Sequence, residues 1–286
     1  MSDTQPPDAA EPLLTWPDLI GRARPVPDAT IAYGADALQI VDVWRPAGPG
    51  PHPVVVMVHG GCWTTSIADR TLMSWIADDL RHEGIGVWNI EYRGVDRPGG
   101  GYPGTFLDVG AAADAVRAYG AEFGFETQRI VGVGHSAGGH LALWLAGRAQ
   151  IAPTSPLHAA TPLAVAHVVC LGGLPDLEAT AASPDNGCGV EVVAQLVGTP
   201  GARGDVYADT SVPRLLPLGV PHDLVNGRED RIVPVRFGED YVAQAQAKGD
   251  AATLHMVGRT GHVELVAPES AAWAQAKALI WAGLET

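Results

Sequence analysis

Residues 129–141 read R-I-V-G-V-G-H-S-A-G-G-H-L. The apolar run from Ile130 to Val133 predicts a buried strand, and the following stretch from Leu141 predicts a helix reaching about Ala149. Between them stands Gly134-His135-Ser136-Ala137-Gly138, a match to G-x-S-x-G. A serine on a sharp strand-to-helix turn sits in strained backbone, and side chains two positions to either side would collide. Gly134 and Gly138 remove those side chains. The turn then lifts the hydroxyl above the sheet. Behind it lie the unpaired N–H groups of the next helix, which suit a developing oxyanion.

On either side of this turn the pattern alternates between strand and helix. Thr30–Tyr33 and Leu38–Trp44 predict an antiparallel hairpin, and Pro53–His59 a strand buried on both faces. Helical spacing follows over 66–83, then a strand over Ile85–Tyr92 and a glycine-rich loop to Gly104. Thr105 is expected to cap a helix reaching about Ala121, with Leu107, Ala111 and Val116 facing inward. After the serine turn come a strand at His167–Leu171, a strand near Asp223–Asn226 and a helix over Val235–Lys248. A strand at Thr253–Val257 and a helix from about Pro268 to Leu284 complete the series. Residues 1–27, rich in proline, read as an N-terminal arm, with Trp16, Leu19 and Ile20 as its candidates for packing on the body. From 175 to 217 the alternation stops except for a short helical pattern at Val190–Val197, and this stretch reads as an inserted cap. Alternation of this kind predicts one α/β domain over 28–286, with a mostly parallel sheet covered on both faces. Active groups in such sheets gather at the carboxyl ends of the strands.

The chain has 286 residues, 47% hydrophobic and 17% charged, enough for one large core. A net charge of −14 argues against nucleic acid or an anionic membrane as partner. Cys62, Cys170 and Cys188 are an odd number without metal spacing. The expectation is therefore three cysteines without a disulfide framework, in a reducing, cytoplasmic setting. The N-terminus has neither the basic start nor the apolar stretch of a signal peptide, and no run approaches the ~18 apolar residues of a membrane span.

A serine hydroxyl needs a base, and the base an orienting acid, in the chain order Ser, Asp or Glu, His for this fold. His262, in the loop G-R-T-G-H after the strand at 253–257, is the leading base, with His255 as its rival inside that strand. Asp230, in the loop after the preceding strand, is the leading acid, with Glu229 and Asp223 as rivals. The oxyanion donors are expected from the backbone N–H groups of Ala137, Gly61 and Cys62, the last two in His59-Gly60-Gly61-Cys62-Trp63. His59 reads as a structural brace for that loop. Trp63 is expected as an apolar wall at the pocket rim, core packing being the alternative. His135 joins it among candidate substrate contacts. His135 and His140 lack metal-ligand spacing, and no metal or cofactor is implied.

These residues together resemble the α/β-hydrolase superfamily over nearly the whole chain from about residue 30. Within it, His59-Gly-Gly-Cys-Trp63 with Gly134-His-Ser-Ala-Gly-Gly-His-Leu141 resembles the kynurenine formamidase (arylformamidase) and hormone-sensitive-lipase-like esterase branch. The resemblance implies an eight-stranded sheet with a small cap, the triad Ser136, Asp230 and His262, and an oxyanion hole from Gly61, Cys62 and Ala137. The expected function is a cofactor-independent serine hydrolase of small-molecule carboxylic esters or aryl formamides with small acyl groups. The cap side chains Leu177, Val190, Val193, Leu196 and Val197 are expected as an apolar lid. The alternatives are a prolyl-oligopeptidase-like peptidase and a non-catalytic binding protein on the same fold. A homodimer is a candidate assembly.

Overall fold

A computed structural model of the chain describes residues 12–199, 201 and 203–285. The first eleven residues of the expected arm lie outside these. The strands are β1 (Ala29–Ala32), β2 (Ile40–Trp44), β3 (His52–Val58), β4 (Gly86–Ile90), β5 (Phe125–His135), β6 (His167–Leu171), β7 (His222–Gly227) and β8 (Ala252–Val257). They form one eight-stranded sheet in the order β1-β2-β4-β3-β5-β6-β7-β8. The pairs β1–β2 and β2–β4 are antiparallel, and every other neighbouring pair is parallel.

The continuous apolar run of β3 has the reason expected of a central parallel strand. Val54, Val56 and Val58 face one layer, while Val55 and Met57 face the other. The helices are α1 (Trp16–Ile20), α2 (Ser74–His82), α3 (Gly104–Asp114), α4 (Val116–Tyr119), α5 (Ala137–Gly147), α6 (Leu177–Ala182), α7 (Glu191–Val197), α8 (Arg236–Ala247) and α9 (Ala271–Glu285). Phe106 of α3, Leu141 of α5 and Tyr241 of α8 pack on the first face. Leu19 of α1, Ile76 and Leu80 of α2, and Trp273 and Ile280 of α9 pack on the second.

Two expectations change here. The buried side of α3 is Phe106, Val109, Ala112 and Ala113, whereas Leu107 is 45% exposed and Ala111 is exposed. The Thr105 hydroxyl donates to the carbonyl of Arg93 instead of capping the helix from outside. In the stretch 175–217, α6 accompanies the expected α7, started by the Asp176 carboxylate accepting from the N–H of Ala179. Leu177, Val193, Leu196 and Val197 are buried in the first core layer, and the Trp144 indole fastens the stretch to α5 through the carbonyl of Asp209. Among the described residues no helix is long and apolar enough to cross a membrane.

Candidate active site

Ser136 links β5 to α5 with φ 54° and ψ −123°, a backbone conformation few non-glycine residues adopt. A Cβ on Gly134 would lie 2.0 Å from the carbonyl oxygen of Gly138, and one on Gly138 would lie 2.1 Å from that of Val58. The turn therefore tolerates no side chain at either position. The N–H of Ser136 donates to Leu171 at 2.8 Å, which ties the turn to the end of β6. The serine side chain makes no capping bond to α5. Ala137 is the first helical residue, so its N–H has no intrahelical acceptor.

His262 stands in the loop after β8, and Asp230 in the loop after β7. His262 Nδ1–H donates to Asp230 Oδ2 at 2.6 Å. That bond fixes the tautomer and leaves Nε2 with a free lone pair. Asp230 Oδ1 accepts from the N–H groups of Ile232 and Val233 at 2.8 and 2.9 Å. The base loop is held separately. Glu264 Oε2 takes the N–H of Gly261, and Glu229 Oε2 takes that of Thr260. The Nε2–H of His135 donates to the carbonyl of His262 at 3.2 Å, and the two rings lie 4.5 Å apart. Complete burial, followed by the neighbouring His262, holds the His135 pKa well below the ordinary histidine value.

The rivals have other partners. His255 Nε2 and His167 Nε2 both meet the Asp223 carboxylate, at 2.7 and 2.9 Å, in a cluster that does not border the serine cavity. Glu229 serves the loop backbone.

The loop after β3 carries Gly61, Cys62 and Trp63 at φ 105°, 50° and 55°. His59 braces it: Nδ1 contacts the carbonyl of Gly60 at 2.7 Å, Nε2 contacts Glu91 Oε1 at 2.9 Å, and the ring stacks on Tyr92. Burial works to raise the Glu91 pKa. The adjacent His59, together with the N–H groups of Arg70 and Tyr92, brings it below the ordinary carboxylate value. Cys62 is bonded to Cys188, 126 residues away, with the two Cα atoms 5.3 Å apart. This corrects the expectation of no disulfide: only Cys170 is free, and it is buried in the core. Spacing along the chain could not show a pairing that depends on two distant loops meeting.

A cavity of about 360 Å³ opens at these groups. Gly61, Cys62, His135, Ser136, Gly187 and His262 border it, and Trp16, Ile20, Ile67, Ala68, Leu72 and Ile232 supply its apolar surface. Trp63 does not border it, contrary to expectation. Positive φ at Trp63 turns its side chain into the core, where the indole N–H donates to His140 Nδ1 at 3.2 Å. The expected lid side chains do not border the cavity either. Of the stretch 175–217, Gly187 reaches it. Trp16 takes the place given to Trp63, with its ring edge-on to both His135 and His262. The apolar letters of the arm were the signal for its packing on the body, but nothing local pointed them at the serine.

The BD-FAE family matches residues 41–244. The chain is 29% identical over 225 residues to esterase LipC of Mycobacterium tuberculosis, covering 76% of this chain and 54% of that protein. It is 31% identical over 147 residues to carboxylesterase NlhH of the same species, covering 51% and 44%. The chain thus spans about half the length of these curated relatives. Among solved structures, esterase B from Lactobacillus rhamnosis superposes with a TM-score of 0.76 at 18% identity, over 92% of this chain and 87% of that one. The fold is the α/β-hydrolase fold.

Proposed function

The chain belongs to the BD-FAE family, and on that footing we propose that it is a serine hydrolase of carboxylic esters, with Ser136 as nucleophile, His262 as base and Asp230 as orienting acid. The observation that carries this reading is the placement of Ser136 and His262 on one cavity, with Asp230 on the far nitrogen of the imidazole. Ser136 Oγ attacks the ester carbonyl carbon while His262 Nε2 takes its proton. The carbonyl oxygen becomes an oxyanion, which the N–H groups of Ala137, Gly61 and Cys62 receive. The tetrahedral adduct collapses, the C–O bond to the alcohol breaks, and His262 returns the proton to the leaving oxygen. Water, deprotonated by the same imidazole, then releases the acid from Ser136.

Within this reading the substrate is an ester of a short acyl group with an apolar or aromatic leaving group, and the walls beside the serine support the leaving-group part. A second hollow of about 260 Å³ adjoins the first and shares Ile20, Ile67, Ala68 and Leu72 with it. It runs on to Thr65, Ser66, Thr71, Asp69 and Arg24. A leaving group lying there meets apolar walls near the scissile bond and polar groups at its far end. Aryl formamides, which carry the smallest acyl group, are the narrower substrate class within the same chemistry.

A p-nitrophenyl ester series, with N-formylkynurenine alongside, tests this. The expected result is kcat/KM highest at acetate or butyrate. A maximum at twelve carbons or more would overturn the short-acyl reading, because each added methylene that fits contributes about 0.8 kcal/mol. Formamide turnover would narrow the class, and its absence beside brisk ester turnover would keep the chain among general esterases.

The disulfide favours an oxidising compartment over the cytoplasm expected from the sequence. Blocking free thiols at lysis in denaturant decides between them, through labelling of Cys170 alone or of all three cysteines.

A further inference from the structure

The Cys62–Cys188 bond joins two loops, 126 residues apart in the sequence, that meet at the candidate site. On one side, Cys62 and Trp63 are consecutive non-glycine residues in the left-handed region. Such backbone persists only where its surroundings hold it. From the body of the protein, the N–H of Val95 holds the carbonyl of Trp63 at 2.8 Å; within the loop, the Thr64 N–H holds the carbonyl of Gly61 at 2.9 Å and its hydroxyl that of Cys62 at 3.0 Å. Towards the cavity the covalent tie of Cys62 is the disulfide.

On the other side, Cys188 belongs to a fixed turn. Its N–H donates to Asn186 Oδ1 at 3.0 Å, and the buried Asn186 amide donates to the carbonyls of Thr180 and Ser183. The preceding residue, Gly187, donates its N–H to the carbonyl of Ile232 at 2.7 Å. A Cβ on Gly187 would lie 2.7 Å from Ile232 Cγ2, so the contact requires glycine. Ile232 in turn donates to Asp230 Oδ1 at 2.8 Å, and Asp230 Oδ2 holds His262. One covalent bond and three hydrogen bonds thus run from the oxyanion loop to the imidazole.

We propose that the Cys62–Cys188 disulfide is a positioning strut that sets the oxyanion donors against the Asp230–His262 pair, and that its reduction slows the chemical step. The proposal rests on the ester-hydrolase reading. A dithiol reductant supplies the two electrons and two protons: one reductant sulfur attacks the bond, the other resolves the mixed disulfide, and the reductant leaves as a cyclic disulfide. The products are the free thiols of Cys62 and Cys188. Cys62 borders the cavity, which gives a small reductant a route of approach. Without the strut, the oxyanion loop relaxes from its left-handed conformation and its N–H groups lose their aim at the reacting oxygen. Loss of aim weakens an interaction made in the transition state, so kcat falls while KM changes little.

The experiment compares the oxidised protein, the protein reduced with dithiothreitol, and Cys188→Ser, which removes the bond without altering an oxyanion residue. Thiol counts in denaturant verify each state. With a p-nitrophenyl acetate assay at 25 °C, reduction and Cys188→Ser are each expected to lower kcat at least tenfold with KM within threefold. Dithiothreitol should then have no further effect on Cys188→Ser, and reoxidation with diamide should restore the wild type. Amide hydrogen exchange on the same samples is expected to quicken in both 60–64 and 228–233 on reduction, a readout independent of turnover and obtainable from reduced wild type if the variant fails to fold. Equal kcat in the oxidised and reduced forms, with only a lower Tm, would overturn the proposal, as would unchanged exchange over 228–233. Absence of ester turnover in every form would count against the ester-hydrolase reading, with the exchange result still deciding the strut.

Discussion

Asp230 Oδ2 accepts the Nδ1–H of His262 at 2.6 Å, while the other carboxylate oxygen of Asp230 accepts two backbone N–H groups from its own loop. The acid is thereby immobilised on one oxygen and committed to the imidazole on the other. Asp230→Asn can still accept from Ile232 and Val233, but then it turns an NH₂ group towards the ring. The imidazole must answer with an unprotonated Nδ1, which places the proton on Nε2, where a base needs a lone pair. The expected result is a fall in kcat of about 10⁴-fold with the fold intact. A change of less than tenfold would remove Asp230 from the mechanism.

Ile20 offers a test of the cavity's true walls. It is 51% exposed and borders both hollows, so it contributes little to the core. Ile20→Asn should raise KM for aryl esters about fivefold, roughly 1 kcal/mol of lost apolar contact, and leave Tm unchanged. Leu196, fully buried away from the cavity, supplies the contrast. Leu196→Ala should cost about 2–5 kcal/mol of stability with KM unchanged in the folded protein. The opposite pair of outcomes would restore the lid expected over 175–217.

What was legible in the sequence follows the range of the interactions involved. The serine turn was legible because its constraint is local: two glycines and a serine within five residues impose the backbone seen at Ser136. The strand β3 was legible because burial on both faces leaves a continuous apolar run. The phase of α3 is not legible because that helix is apolar on most of its surface, so spacing alone does not distinguish Leu107 from Phe106. The inward turn of Trp63 is not legible because it follows from three consecutive positive φ values, at Gly61, Cys62 and Trp63 itself, and nothing in the letters signals them. The disulfide and the contribution of α1 both depend on loops meeting across the fold, which no pattern along the chain encodes.

Acid sensitivity should follow from His140. Burial holds its pKa down to about 4, and its neighbours agree with a neutral ring: Nδ1 accepts from Trp63, and Nε2–H donates to the carbonyl of Thr210. The unfolded chain takes up this proton near the ordinary value of ~6.5. Between pH 6.5 and about 4 the unfolded state therefore binds a proton that the native state does not, and stability is lost as pH falls through that window. The contribution is roughly 3 kcal/mol. His135, also held down by burial, acts in the same direction. Glu91, with its pKa below the ordinary carboxylate value, adds its loss only at lower pH. Urea melts at pH 7.5 and 4.5 should show the decline, and His140→Gln, which keeps a donor and an acceptor, should show a shallower one. Equal slopes in the two proteins would contradict the assignment.

The account stands most directly on the hydroxyl of Ser136. Wild type and Ser136→Ala, matched for folding by circular dichroism, are to be assayed with p-nitrophenyl acetate and treated with a fluorophosphonate, followed by peptide mass mapping. The expected result is one phosphonyl adduct on the peptide containing Ser136 in the wild type, none in the variant, and a loss in kcat of ~10⁴ to 10⁶. Turnover by Ser136→Ala within tenfold of wild type, or an adduct on another residue with Ser136 unmodified, would contradict it.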